Sequence, residues 1–105
     1  MMRRASKDAN HDAIVRRFQA LGCSVIQIHA TGIPGLPDLG IGCVGVTHLV
    51  EVKSPESAYG RRGLNPNQTA FARDWRGGRV HVATSEDEAT ALVQHWRRAA
   101  KEKCD

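Results

Sequence analysis

The chain has 105 residues, of which 41% are hydrophobic and 25% charged, so it is long enough for one modest core and too short for separate catalytic and recognition domains. Fifteen Lys and Arg residues against eleven Asp and Glu give a formal charge of +4, a bias compatible with a polyanionic partner. No run approaches the roughly 18 apolar residues of a membrane span, and no apolar signal region follows the basic N-terminus. The three cysteines have spacings that fit neither a zinc site nor a disulfide framework. We therefore expect one cytoplasmic domain over residues 1–105, with reduced thiols and no membrane partner.

The first half of the chain predicts a helix followed by three strands. Apolar residues recur at helical spacing over residues 8–21, and Gly22 ends the helix. Residues 23–30 are rich in β-branched side chains and predict a strand, whereas the glycines and prolines of residues 31–37 predict a loop. Residues 38–42 and 46–53 then predict an antiparallel hairpin with Gly45 at a positive φ.

The second half predicts two helices with one more strand between them. Asn65 is the expected N-cap of the first, with Pro66 at its first position and Gln68 completing a capping box. Residues 79–84 predict the strand, and Ser85 opens a last helix whose polar tail from residue 97 is expected to fray. The order αβββαβα implies an α/β fold with a mixed central sheet flanked by helices.

Three charged residues of the predicted hairpin form a candidate site. Side chains alternate along a strand, so Glu51 and Lys53 share one face, and antiparallel pairing brings Asp38 beside Glu51. Neighbouring carboxylates repel each other unless a cation lies between them, and Mg²⁺ prefers carboxylate and carbonyl oxygens. An adjoining ammonium group can stabilise charge on a phosphate. The pattern therefore indicates phosphodiester hydrolysis, with an ordinary ion pair of Glu51 and Lys53 as the alternative.

The stretch "PDLGIGCVGVTHLVEVK" at residues 37–53 resembles the Pro-Asp, Glu-x-Lys signature of the PD-(D/E)XK nuclease superfamily. The stretch "LNPNQTAFARDWRGGRVHVATSEDEA" at residues 64–89 is similar to the VRR-NUC family, the virus-type replication-repair nucleases. The resemblance covers about residues 8–96 and implies a restriction-endonuclease-like αβββαβ core plus a C-terminal helix. It also implies a Mg²⁺-dependent endodeoxyribonuclease in which Mn²⁺ can substitute. Small free-standing relatives are often phage-encoded homodimers that cut Holliday junctions, so the expected setting is branched DNA in a bacterial or phage-infected cell.

The family motif assigns roles at the matching positions of this sequence. Asp38 and Glu51 become metal ligands together with the backbone carbonyl of Val52, and Lys53 becomes the catalytic lysine. Gln68 is placed at the rim of the active site, where it would contact the scissile phosphate or a metal-bound water. A capping role alone is the alternative for Gln68, and the two roles are compatible.

The first helix departs from the family pattern, because relatives place a Glu there and no Glu precedes residue 51 in this chain. Asp8 is assigned as a further metal ligand. Asp12, four residues later on the same helix face, and a solvated helix-start aspartate are left open as alternatives. Lys7, Arg61 and Arg62 are expected to contact DNA phosphates.

The histidines of the predicted strands and the two tryptophans are assigned structural roles, and two alternative functions are kept. His29, His48 and His81 fall on predicted strands and are expected to be structural. Trp75 and Trp96 occupy inward helical positions, so core or dimer packing is favoured over base stacking. A flap, nick or non-specific DNA nuclease is the close alternative to junction resolution, and a non-catalytic DNA-binding or assembly subunit is the alternative outside the enzymes.

Overall fold

The computed structural model describes residues 2–29, 32–55 and 63–104, with side chains for residues 9–29, 32–55 and 63–103. Its elements follow the predicted order: α1 (Met2–Ala20), β1 (Ser24–Gln27), β2 (Leu39–Cys43), β3 (Val46–Val52), α2 (Pro66–Asp74), β4 (His81–Ala83) and α3 (Glu86–Cys104). The strands form one sheet in the order β1-β2-β3-β4, antiparallel except for the parallel pair of β3 and β4. The predicted α/β fold with a mixed sheet is therefore confirmed.

The core lies between one face of the sheet and the two long helices. Alternate strand positions project into it, so Leu39 and Val50, which pair directly, are both fully buried. The other members of the core are Ile14, Val15, Phe18, Cys23, Ile41, Cys43, Ala83, Ala89, Val93 and Trp96. Each large side chain buried in this way contributes roughly 1.5–3 kcal/mol. This shared core fixes the sheet relative to α1 and α3.

A two-residue turn joins β2 to β3 and sets their register. Cys43 pairs with Val46, and the residues between them, Val44 and Gly45, have φ values of 45° and 80°. A type I′ turn requires positive φ at both central residues, whereas the sequence had indicated this only for Gly45. The resulting register brings the start of β2 opposite the end of β3, as the hairpin predicted.

Two sequence predictions about the helices are wrong. Residues 97–104 were expected to fray, but α3 continues to Cys104, because its last turns are rich in Ala, Lys and Glu, which are strong helix formers. Trp75 was expected to pack in the core or in a dimer; it is 45% exposed and α2 contains no buried residue, so the core position is wrong and dimer packing stays a prediction. Trp96, by contrast, is 4% exposed and belongs to the core. None of the helices in the described part of the chain is long and apolar enough to cross a membrane.

His48 of β3 and His81 of β4 pack around Trp96. The His48 ring stacks on the Trp96 ring with centroids 3.9 Å apart, and Trp96 Nε1 donates a hydrogen bond to His81 Nε2 at 3.4 Å. Burial, with smaller effects from His48, Arg79 and His95, lowers the pKa of His81 to about 4. His81 is therefore neutral at pH 7 and can accept this bond, which agrees with a structural role.

Cys23 and Cys43 are buried free thiols on adjacent strands. The register that pairs Ser24 with Gly42 places them opposite each other, one step beyond β1. Burial, followed by the neighbouring Cys43 thiol, raises the pKa of Cys23 to about 11. Little of the Cys23 thiol is therefore ionised at neutral pH, and both thiols are free, as the sequence predicted for reduced cysteines.

Candidate active site

Asp38 and Glu51 lie side by side at one end of the sheet. Because Leu39 pairs with Val50, the preceding Asp38 comes opposite Glu51. The Val52 backbone N–H donates a 2.9 Å hydrogen bond to Asp38 Oδ2. On its other side, the Asp38 backbone carbonyl accepts a 2.7 Å hydrogen bond from the Ile28 N–H. Asp38 is thus anchored between two neighbouring strands.

Glu51 is a buried carboxylate whose charge is only partly compensated. It is 5% exposed, and its Oε1 atom has no hydrogen-bond partner among the residues that the structure describes. The pKa of Glu51 is raised to about 8, mainly by burial and next by the neighbouring Asp38 carboxylate. The positive charge of Lys53 and the hydrogen bond from Gln68 act in the opposite direction. Without a cation, Glu51 therefore retains a proton at neutral pH and can donate it to a hydrogen bond with Asp38.

The N-terminus of α2 presents Gln68 to this carboxylate. Asn65 caps the helix, with its Oδ1 accepting from the Gln68 N–H at 2.9 Å, and Pro66 occupies the first turn. The Gln68 Oε1 completes the predicted capping box by accepting from the Asn65 N–H at 3.1 Å. At the same time Gln68 Nε2 donates a 2.8 Å hydrogen bond to Glu51 Oε2. The capping and active-site positions foreseen for Gln68 are therefore compatible in this structure.

Lys53 follows Glu51 by two residues and lies just beyond the end of β3. Its backbone N–H donates to the Ala83 carbonyl at 3.0 Å, which continues the parallel pairing of β3 and β4. Its side chain is half-buried, and its positive charge is close enough to Glu51 to oppose the rise of that carboxyl pKa. The sheet therefore brings together three of the predicted residues: Asp38, Glu51 and Lys53.

Asn10 of α1 is a residue at this site that the sequence did not indicate. Its Nδ2 lies 3.3 Å from the Lys53 carbonyl and 3.5 Å from the Thr84 carbonyl, so one amide ties α1 to the ends of β3 and β4. The available signal was its position one helical turn before the fully buried Ile14, where a polar side chain faces the core side of the helix. A lone Asn at such a position does not reveal which carbonyls it meets.

The residues present fit a hard divalent cation. Two adjacent carboxylates, one of them buried with an oxygen that has no partner among the described residues, are the kind of oxygen donor that Mg²⁺ prefers. Val52, whose N–H bonds to Asp38, offers a backbone carbonyl of the kind that can complete such a site. A cation between Asp38 and Glu51 would remove the repulsion that raises the Glu51 pKa. Among the side chains that the structure describes, no three Asp, Glu, His or Cys residues are grouped as metal ligands, so these two acids are the set at hand.

The remaining predicted site residues are not tested by these contacts. Lys7 and Asp8 lie in α1, but their side chains are outside the described residues, as are Arg61 and Arg62 altogether. Asp12, the alternative acid of α1, is exposed.

Comparison with known proteins finds a similar fold among solved structures. Neither a family model nor a curated protein sequence matches the chain. A solved structure described as "VRR_NUC domain" is similar with a TM-score of 0.67 and 28% sequence identity, covering 86% of this chain and 96% of that one. The solved domain thus matches in fold along nearly its whole length. The resemblance to the VRR-NUC family is confirmed by this match: the chain has the fold of a VRR-NUC domain, a nuclease domain of the PD-(D/E)XK type.

Proposed function

We propose that the protein is a Mg²⁺- or Mn²⁺-dependent endodeoxyribonuclease that cuts branched DNA, with the Holliday junction as its favoured substrate. The observation that carries this proposal is the buried Glu51 carboxylate, held against Asp38 with its pKa raised to about 8 and with Lys53 beside it. A buried carboxyl whose pKa is raised by desolvation and by a second carboxylate is characteristic of a functional site. The similarity to a solved VRR_NUC domain supports nuclease chemistry for that site.

The roles of the residues follow from their positions. Asp38, Glu51 and the Val52 carbonyl would hold the cation, which when bound would lower the pKa of the attacking water and offset phosphate charge. The Lys53 ammonium would stabilise the negative charge that develops on the phosphate oxygens as water attacks in line. The Gln68 amide keeps Glu51 oriented through its 2.8 Å hydrogen bond. The resemblance implies products with 5′-phosphates.

The proposed substrate class rests on charge and on the family resemblance. The formal charge of +4 suits a polyanionic partner, and the shape of a branched DNA can be read by charge and symmetry. A homodimer would supply the two active sites that paired incisions in a junction need. Lys7, Arg61 and Arg62 remain the proposed phosphate contacts, and Asp8, with Asp12 as its alternative, remains the proposed acid of α1.

The test is a cleavage assay on a four-way junction, a flap and a linear duplex, each with Mg²⁺, Mn²⁺ or EDTA. Asp38→Asn retains an oxygen that can accept the Val52 N–H bond but removes the charge, and Lys53→Met retains most of the side-chain length. We expect both variants to cut at least 100-fold more slowly while remaining folded. Asp87→Asn and Lys101→Met make the same changes at exposed positions and are expected to cut normally.

The outcomes separate the candidate functions. Binding of DNA without metal-dependent cutting would favour the non-catalytic subunit and overturn the nuclease. Equal cutting of all three DNAs would remove the structure-specific part of the proposal, and preferential cutting of flaps would replace the junction as the substrate. A monomer at working concentration in size-exclusion chromatography would argue against paired incision.

A further inference from the structure

An exposed aromatic pair lies on the helix that carries Gln68. Trp75 is the C-cap of α2 and is 45% exposed, and its ring stacks on that of Phe71 with centroids 5.4 Å apart and planes inclined by 16°. Gly77 allows the indole to lie against the backbone, since a Cβ there would come within 2.6 Å of Trp75 Nε1. Both rings border a groove of about 340 Å³ whose other lining residues are Pro34, Asn67, Ala70 and Asp74.

This pair lies on the same helix as Gln68, which contacts the candidate active site. Residues seven apart on a helix lie on nearly the same face, so Trp75 lies two turns along α2 from Gln68, about 10 Å away. That distance corresponds to about three nucleotides along one strand of a duplex. A DNA strand whose phosphate reached Glu51 and Gln68 could therefore pass the indole within a few nucleotides of the cut.

The charges around the pair favour a nucleic acid as its occupant. Residues 73–79, at the end of α2 and just after it, contain three exposed arginines, Arg73, Arg76 and Arg79. The same segment has a single acidic residue, Asp74. The Arg73 guanidinium pairs with Asp74 at 2.9 Å and so offsets the one charge that would repel phosphate. A flat, exposed ring flanked by arginines is the combination with which proteins bind unpaired bases.

We propose that Trp75, supported by Phe71, is a stacking site for an unpaired nucleobase of the DNA strand being cut. This inference rests on the proposed function and narrows its substrate class. A base inside a continuous duplex would have to leave its stack before it could reach the indole, whereas a base in a flap or single-stranded branch is already available. The site therefore favours branched DNA that contains unpaired nucleotides near the cut.

Tryptophan emission tests the stacking site without any cleavage. The chain has two tryptophans, and Trp96 is buried in the core, so the change on DNA binding reports Trp75. Asp38→Asn protein in EDTA would be titrated with oligothymidine, a flap and a blunt duplex. We expect oligothymidine and the flap to quench the emission strongly, the duplex to quench it weakly, and Trp75→Leu in the same background to show no such quenching.

Affinity gives the second readout. We expect Trp75→Ala to weaken binding of oligothymidine and flap about tenfold and duplex binding less than twofold, with Trp75→Phe retaining most of the affinity. Arg76→Gln, the charge control, should weaken binding of all three DNAs alike. Equal loss for every DNA in Trp75→Ala would overturn the proposal. The proposal would also be overturned if the Trp75 indole became shielded from solvent as protein concentration rises in the absence of DNA. A second copy of the chain would then cover the ring.

The nuclease proposal can fail separately from this one. If stacking is observed and the cleavage assay with Mg²⁺ shows no cutting, the surface binds unpaired DNA on a protein that is not a nuclease. If cutting is observed without stacking, the stacking site is wrong and the nuclease stands.

Discussion

The Gln68 side chain joins the start of α2 to the buried Glu51, with Nε2 donating to Glu51 Oε2 at 2.8 Å and Oε1 accepting from the Asn65 N–H at 3.1 Å. The amide group supplies a donor at one end and an acceptor at the other. A carboxylate at this position could keep only the acceptor, and a methyl group neither. Substitutions of Gln68 can therefore separate its hydrogen bond to Glu51 from its role in capping α2.

We expect Gln68→Glu and Gln68→Ala to differ in their response to Mg²⁺. Gln68→Glu retains the capping acceptor but removes the donor to Glu51 and adds a third carboxyl group to the site, which lowers the free energy of unfolding by roughly 1–3 kcal/mol in EDTA, and Mg²⁺ restores part of this loss. Gln68→Ala loses the cap as well, about 1 kcal/mol that a cation cannot restore. Urea denaturation with EDTA or Mg²⁺ measures both. The exposed Asn67→Asp is the matched charge control, and the same Mg²⁺ response there would contradict the assignment.

Stability without metal should fall as the pH rises from about 6.5 to 8. Glu51 in the unfolded chain loses its proton near the ordinary pKa of 4.5, but in the folded protein it does so near 8, so between these values the folded state binds more protons. His81 has the opposite sign, since its pKa is lowered from 6.5 to about 4 and its contribution is lost on acidification. The Glu51 effect is therefore clearest from pH 6.5 to 8, where we expect a loss of about 2 kcal/mol.

Urea denaturation in EDTA from pH 6.5 to 8 measures how the free energy of unfolding changes with pH, and Glu51→Gln should flatten that dependence.

Protonation of Glu51 also makes metal binding depend on pH. Binding of Mg²⁺ near pH 7 should release close to one proton from wild type and almost none from Glu51→Gln, as titration calorimetry in buffers of different ionisation enthalpy would show. Proton release that is unchanged in Glu51→Gln would place the proton elsewhere.

Asn10 should position the end of β3. Asn10→Asp replaces the donor that meets the Lys53 and Thr84 carbonyls with an acceptor of the same shape, so we expect a loss of about 1–3 kcal/mol. Asn10→Ala should cost about 1 kcal/mol. Asp12→Asn, on the exposed side of α1, should change the free energy of unfolding by less than about 0.5 kcal/mol. Thermal and urea denaturation compare the three variants. An Asn10→Asp variant as stable as wild type would show that the Asn10 amide does not stabilise the ends of β3 and β4.

Val44 should be a site of stabilisation. It is 53% exposed and has a φ of 45°, which a β-branched residue adopts only at a cost of about 1–2 kcal/mol. Val44→Asn creates the Asn-Gly pair that type I′ turns prefer, so we expect a gain of about 1 kcal/mol and a rise in melting temperature of about 4–8 °C. Val46→Asn, also exposed but within β3, should be neutral or destabilising. An equal gain in stability in both variants would show that the stabilisation does not come from the turn.

The predictions that succeeded rest on local rules. Strand alternation and a two-residue turn suffice to place Asp38 opposite Glu51, and the Asn65, Pro66 and Gln68 pattern suffices for a capped helix. In both cases every interacting residue lies within a short stretch, so spacing determines geometry.

The predictions that failed depend on partners far along the chain. Periodicity placed Trp75 on the apolar face of α2, but no periodicity shows that another element covers that face, and here it is exposed. Asn10 meets carbonyls 43 and 74 residues away, which no local pattern encodes. The polar tail of α3 lacks an apolar stripe, but its helix-forming residues continue the helix without one.

The chain between Lys53 and Asn65 is fixed at both ends by the sheet and by Gln68. Lys53 is held through its hydrogen bond to Ala83, and Asn65 through the capping box whose Gln68 also holds Glu51. The end of β3 and the start of α2 are therefore fixed by separate sets of hydrogen bonds, one from the parallel pairing with β4 and one from the capping box. The two acids and Lys53 keep their relative positions through these bonds rather than through the chain that joins them.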